Sequence, residues 1–190
     1  MKLIVAFCKN RGIGYKNNLP WKLKSDLIRF KSLTIGDGNN AIVMGKNTWN
    51  SLNNKSLPKR SNIVLTSTPD KYSAYPEKFI SSLREVRKLK EKKIYDEIWV
   101  IGGERIYRET LRSDLIDEIF VTYINKNFIC DTYFPGIPRK FNLIHATEIK
   151  YENDIEFNYV HYKKNILENN IKKIFSKKLG KFSKFPNHKS

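Results

Sequence analysis

Asp26 lies in the segment LPWKLKSDLIRF, residues 19–30, on the apolar side of a helical pattern. At about 100° per residue, Leu23, Leu27, Phe30, Leu33 and Thr34 form one stripe, and the carboxylate falls inside it. Lys22, Lys24, Ser25, Arg29, Lys31 and Ser32 lie outside, with Ile28 the apolar exception. An aspartate here has two readings. Following Pro20 and Ser25, it can serve as an N-cap or as a first-turn acid facing the helix dipole. Aimed inward past the first turn, it would lose several kcal/mol to desolvation unless a partner met it, which is how a ligand-binding carboxylate is placed.

Two other segments point to anion binding. VMGKNTW, around Gly45, and VIGGERIY, around Gly102 and Gly103, each run from an apolar strand through glycine into a helix. Such a start presents backbone N–H groups and the positive end of a dipole. Neither segment is GxGxxG or a P-loop, and either alone is an ordinary tight turn. Two of them, with Lys46, Thr48, Ser67 and Arg105 close by, suit an extended anion such as a dinucleotide. Glu104 opposes an anion at the second helix start unless Arg105 offsets it.

The elements that must position these residues are legible as runs. Short apolar stretches bounded by turn residues read as buried strands at 2–8, 41–45, 62–67, 97–103 and 118–124. Helical patterns cover 23–34, a short stretch after Gly45, 83–92 and 104–112. Continuously apolar strands alternating with helices predict an α/β fold with a mostly parallel central sheet and helices on both faces. The alternating run EFNYVHYKK adds an antiparallel C-terminal edge strand. Open sheets of this kind bind ligands beyond the carboxyl ends of their strands, where both glycine turns fall. A lysine-rich stretch without strand signals begins near Asn165, so we divide the chain into a domain at 1–164 and an extension at 165–190.

Composition narrows the classes. The chain has 190 residues, two cysteines and a net charge of +17. Residues 165–190 hold seven lysines against one glutamate, and the remaining excess is spread along the domain. No zinc spacing, RNA-binding aromatic motif or helix-turn-helix pattern accompanies it, so a solvated basic surface is favoured over nucleic-acid binding. Cys8 and Cys130 make neither a disulfide framework nor a metal-ligand pair, which favours a reducing, cytoplasmic setting. The N-terminal apolar run is too short for a secretory signal, and no stretch approaches a membrane span.

The ordered segments GIGYKNNLPWKLKSDLIRF, IVMGKNTWNSL, LPKRSNIVLTS, WVIGGERIY, FVTYI and CDTYFP resemble dihydrofolate reductase over about residues 2–163. The resemblance implies NADPH-dependent reduction of 7,8-dihydrofolate to tetrahydrofolate, a step of one-carbon metabolism, with hydride delivered to C6 and a proton to N5. Asp26 then resembles the carboxylate that receives the pterin edge as a bidentate, charge-assisted pair, and Trp21 its water-ordering neighbour. Val5, Ala6, Leu27, Phe30, Lys31, Leu52, Leu57 and Ile101 resemble the substrate pocket, Thr122 the hydroxyl behind Asp26, and Arg60 the clamp on the substrate's α-carboxylate. On the cofactor side the resemblance implies Ala6, Ile13, Gly14, Asn18 and Leu19 at the nicotinamide. Lys46, Asn47 and Thr48 would meet phosphates at one helix start, and Gly102, Gly103, Glu104, Arg105, Ile106 and Tyr107 those at the other. Thr66 and Ser67 would lie at the far end, where Lys46, Ser67 and Arg105 select the 2′-phosphate. Gly102–Gly103 resembles the family's cis bond, and the loop 9–22, punctuated by Gly12 and Gly14, a cover for the nicotinamide. A monomer is expected unless the chain is fused or associates through its C-terminal extension. The pyrimidine reductase of riboflavin synthesis would share the sheet and NADPH but leaves Trp21, Asp26 and Arg60 together unexplained. In the extension, Leu167, Ile171, Ile174 and Phe175 recur at helical spacing, and we expect the extension to dock on the domain or to fray.

Overall fold

The computed structural model describes residues 1–75 and 77–165, so the helical stripe expected in the extension lies outside the described residues. Among the described residues, the chain opens with β1 (Lys2–Cys8) and a short β2 (Gly12–Gly14), then α1 (Lys24–Ile35). It continues through β3 (Ala41–Gly45), α2 (Lys46–Ser51), β4 (Ser61–Leu65), β5 (Lys78–Ile80) and α3 (Leu83–Glu91). Next come β6 (Ile98–Gly102), α4 (Glu104–Arg112) and β7 (Glu118–Ile124), followed by β8 (Thr132–Tyr133), β9 (Phe141–Ala146), β10 (Lys150–Glu152) and β11 (Ile155–Lys164).

Nine strands form one sheet in the order β10-β11-β7-β1-β6-β3-β4-β5, with β9 pairing β11 as well. The pairings from β7 to β5 are all parallel, and β11 runs antiparallel to β7. The antiparallel side is broader than the single expected strand, because β9 and β10 both add to the outer edge of β11. The apolar strands earn their continuity by burying both faces. Leu3, Val5, Val43, Ile63, Val100 and Val121 pack with Val86 and Leu89 of α3 and Ile106 and Leu111 of α4. Their alternates Ile4, Ile42, Met44, Val64 and Trp99 pack with Trp49 of α2 and, at the margin, Phe30 and Leu33 of α1. Helices therefore cover both faces.

The strand order makes a switch point. From β1 the chain passes to β3 and then outward to β4 and β5, and β6 returns to fill the gap between β1 and β3. Helices connected to opposite sides diverge there, opening a crevice at the carboxyl ends of β1, β3, β4 and β6.

α1 begins without help from its own sequence. Its N-cap is Leu23, which makes no side-chain cap bond. Glu152 of β10 supplies the acceptor instead, taking N–H groups from Lys24 at 2.5 Å and Ser25 at 3.1 Å and the Ser25 hydroxyl at 2.5 Å. The helix closes at Gly36, where Asn40 Nδ2 donates to the carbonyls of Thr34 and Ile35 while its Oδ1 accepts the N–H of Glu97. No helix among the described residues is long and apolar enough to cross a membrane.

Candidate active site

The crevice is a cleft of about 1270 Å³ that reaches from α1 to the starts of α2 and α4. Every residue assigned to the substrate or cofactor site borders it except Trp21 and Thr122. Both of these lie behind its wall. Thr122 is 1 % exposed on β7, and its hydroxyl donates to Asp26 Oδ1 at 2.5 Å. Trp21 is buried with Leu23, Ile124, Ile155 and Phe157, its ring edge against Phe128. Its indole N–H has no protein acceptor, but the same holds for Trp49 and Trp99.

Asp26 is in the first turn of α1, as its first reading had it, but it caps nothing and its carboxylate is buried. The helix start is served by Glu152, and the Asp26 carboxylate is turned into the fold against Thr122. Burial raises its pKa, and the Thr122 hydrogen bond and the nearby Arg29 charge pull it back down. Arg29 follows three residues later, with its guanidinium 4.2 Å over the Tyr159 ring and Nη1 buried without a hydrogen-bond acceptor. Leu27, expected in the apolar stripe, is 55 % exposed. Its face of the helix borders the cleft, so it is available to a ligand and is not core.

Arg60 is oriented from two sides. Its Nη1 donates to Thr34 Oγ1 at 2.7 Å and its Nε to the Pro58 carbonyl at 3.1 Å, with Phe30 near its plane. The loop carrying it is tied by Asn62, which accepts the Leu57 N–H and donates to the carbonyls of Leu57 and Arg60. Asn40 and Asn62, both buried, thus brace the site without lining it. Sequence reading passed over them because a buried asparagine looks like any turn residue until its partners are known.

At the other end of the cleft the two helix starts pack on each other. A Cβ at Gly45 would stand 2.9 Å from Ile106 Cγ1, so glycine allows α4 to approach β3. Gly102 has φ +127°, a region closed to side-chain-bearing residues, and the Gly102–Gly103 bond is cis. Thr48 Oγ1 lies 3.2 Å from the position of a Gly103 Cβ, and Tyr107 Oη donates to the Ile4 carbonyl at 2.8 Å. Arg105 does not offset Glu104. Arg105 is exposed and bonded to Glu109 at 2.7 Å, whereas Glu104 pairs with Arg108 and accepts the Tyr133 N–H at 3.0 Å. The acid is neutralised by its own helix and used to hold β8. Arg108, Arg112, Ser81 and Ser82 also border the cleft, a set the sequence did not single out although Arg108 and Arg112 stand at helical spacing from Glu104.

The loop 9–22 contributes Ile13, Gly14, Asn17, Asn18 and Leu19 to the cleft. Its bends do not fall at the glycines: Arg11, Lys16 and Asn17 adopt positive φ, and Gly12 and Gly14 do not. The segment 131–134 holds it, through Phe134 N–H to the Arg11 carbonyl at 2.8 Å, Asp131 N–H to the Gly14 carbonyl at 3.0 Å, and Lys16 N–H to Asp131 Oδ2 at 2.8 Å. No group of three or more metal-ligating side chains exists among the described residues.

A family model described as dihydrofolate reductase matches residues 1–164. A dihydrofolate reductase of Aedes albopictus is 38 % identical over 179 residues, covering 85 % of this chain and 96 % of its own. That of Drosophila melanogaster is 35 % identical over 171 residues, covering 83 % and 93 %. A bifunctional dihydrofolate reductase-thymidylate synthase of Paramecium tetraurelia is 34 % identical over 163 residues, which are 84 % of this chain and 33 % of that one. With a buried carboxylate at one end of the cleft and paired glycine helix starts at the other, the chain belongs to the dihydrofolate reductase family, whose reaction is the NADPH-dependent reduction of 7,8-dihydrofolate to 5,6,7,8-tetrahydrofolate.

Proposed function

We propose that the cleft holds both reactants at once, dihydrofolate between α1 and Arg60 and NADPH along the starts of α2 and α4. The observation that carries this division is Asp26, a carboxylate 9 % exposed that borders the cleft and has Thr122 at its back. A flat edge with two donors satisfies such an anion, and the bound ligand compensates its burial. Val5, Ala6, Leu27, Phe30, Leu52, Leu57 and Ile101 supply apolar walls, with Lys31 at the rim, and Arg60 clamps the substrate's carboxylate tail. The volume exceeds the roughly 300–1,000 Å³ of a single small-molecule site, as two reactants require.

The residues at the far end fit a dinucleotide. The two glycine helix starts, with Lys46, Asn47 and Thr48 on the cleft, can take phosphates, and Ile13, Gly14, Asn18 and Leu19 can cover the ring. Lys46 and Ser67 are the contacts we assign to the 2′-phosphate. Arg105 joins them only if it leaves Glu109. When bound, NADPH supplies the hydride. The chain's own part is orientation and exclusion of water: Asp26 fixes the pterin and its tautomer, Thr122 fixes Asp26, and the loop 9–22 shields the reacting face. Trp21 is assigned a positioning part behind that face. We further propose that residues 1–164 are the catalytic unit, acting as a cytoplasmic monomer; the residues that border the cleft lie within 4–132.

A double dissociation tests the division. Arg60→Ala should raise KM for dihydrofolate by about ten- to a hundredfold, the value of a charge-assisted bond, and leave that for NADPH unchanged. Lys46→Ala should raise KM for NADPH and leave those for NADH and dihydrofolate nearly unchanged. Equal losses for both reactants in either variant would reject the division.

A further inference from the structure

Cys8 and Cys130 are the two cysteines of the chain, 122 positions apart, and the fold brings their sulfurs to 4.0 Å. Both are free thiols. Cys8, at the end of β1, is fully buried, and Cys130, just before β8, is half-buried. Gly12 lies across the pair, since a Cβ there would stand 2.2 Å from Cys130 Sγ and 3.1 Å from Cys8 Sγ. A disulfide needs about 2.05 Å between sulfurs, so a closure of about 2 Å would join them. The bond would link the end of β1 to the segment whose Asp131 and Phe134 hold the loop 9–22.

We propose that Cys8 and Cys130 form a modification site, a dithiol that takes a low-molecular-weight disulfide as co-substrate and closes to an intramolecular disulfide that pins the loop 9–22 and slows turnover. In the first exchange the Cys130 thiolate, the more open of the two, attacks one sulfur of RS–SR and expels RS⁻. The Cys8 thiolate then attacks Cys130 Sγ in the mixed disulfide and expels the second RS⁻. Two protein thiols are oxidised, one small disulfide is reduced, and the two thiol protons end on the released RS⁻ groups. Exposed Lys9, Arg11 and Lys126 flank the two cysteine-bearing segments, with Lys9 N–H bonded to the Lys126 carbonyl, and they favour an anionic disulfide. Burial, then the neighbouring Cys8 thiol and Asp131, push the Cys130 thiol up to about 11, against a lowering bond from the Gly14 backbone. Exchange is therefore slow at neutral pH and accelerates in alkali.

The effect on turnover rests on the loop's proposed role, whereas the bond itself does not. The test treats the full chain with oxidised glutathione across a pH series, traps it in acid, and reads free thiols, intact mass and dihydrofolate-dependent NADPH oxidation. The expected result is loss of both thiols with a mass lower by two hydrogens, faster at higher pH. Turnover falls about tenfold and is restored by dithiothreitol. Cys130→Ser, outside the cleft, should retain its activity and its Cys8 thiol under the same treatment, and Cys8→Ala should stop at a glutathione adduct. A lasting adduct on the unsubstituted chain, or an internal disulfide with unchanged turnover, would overturn the proposal. An inactive reduced chain would instead reject the reductase reading, while the thiol and mass readings still decide the disulfide.

Discussion

Asp26 is kept able to ionise in a position that resists ionisation. Burial raises its pKa, the Thr122 hydroxyl and the Arg29 charge work the other way, and the Glu152 charge acts with burial. A carboxyl whose pKa is higher in the folded state than unfolded contributes its stability below the unfolded value and loses it as pH rises through the folded one. At neutral pH the charged form is therefore a liability to the ligand-free protein. Asp26→Asn should melt at a higher temperature than the unsubstituted chain at neutral pH, and the gap should close below the carboxylate range. Thermal denaturation of both proteins at the two pH values checks this, and a lower melting temperature for the variant at neutral pH would show that the charge is better compensated than its burial implies. Asp26 itself was legible in the sequence because a carboxylate broke an apolar stripe. Thr122 was not, since inside FVTYI it looks like any β-branched strand residue, and only the family resemblance marked it. The spacing of Cys8 and Cys130 gives no disulfide framework, because their proximity across 122 positions is made by β1 pairing with β7 and leaves no local trace.

The elements differ in the same way. β1, β3, β7 and α4 follow their apolar patterns to the residue, because each is decided by burial on the face or faces it presents. β2, β5, β8, β9 and β10 were passed over. They are two to six residues long and mostly exposed, and their strand character comes from the strand each pairs with, not from an apolar run of its own. One of these unseen elements sets the geometry of the most visible one. The β10–β11 hairpin turns at Asn153 and Asp154, both at positive φ, and delivers Glu152 to the start of α1, while Asn153 donates to the Lys22 carbonyl at 2.8 Å. Hydrogen bonds from Ser25 and the helix backbone hold the Glu152 pKa below its ordinary value. A depressed carboxylate contributes stability above its unfolded pKa and loses it as pH falls through the folded one. Glu152→Ala should therefore lower the melting temperature at neutral pH, and the difference should vanish in acid. Because the start of α1 carries Asp26, the variant should also raise KM for dihydrofolate by about two- to tenfold with little change in kcat, as expected for a lost positioning contact. A wild-type KM would mean that Asp26 is located by the sheet side alone.

At the scale of the whole molecule, the sheet order provides the crevice and the ends of four parallel strands supply the chemistry. Asn165 belongs to the fold, its N–H donating to the Lys140 carbonyl at 2.8 Å beside the start of β9. Among the described residues, those that border the cleft all lie within 4–132, and the family match stops at residue 164. A chain ending at Asn165 should keep kcat and dihydrofolate affinity within about twofold, with at most a modest fall in melting temperature. Loss of activity would show that residues 166–190 support the site. Salt-sensitive binding of the full chain, but not the shortened one, to RNA or anionic vesicles would give the basic extension a function of its own. The strongly positive charge, legible at once, said little about the reaction, since it is spread along the chain without organising into a nucleic-acid motif.

The central claim is that the buried Asp26 carboxylate holds the pterin. Steady-state kinetics of Asp26→Asn with dihydrofolate and NADPH at neutral pH test it most directly, with circular dichroism confirming that the variant is folded. Removing a charge-assisted pair of this kind costs roughly 2–5 kcal/mol, so kcat/KM for dihydrofolate should fall by about two to three decades while KM for NADPH stays near that of the unsubstituted chain. A folded Asp26→Asn protein that turns over dihydrofolate at close to the unsubstituted rate would contradict the account.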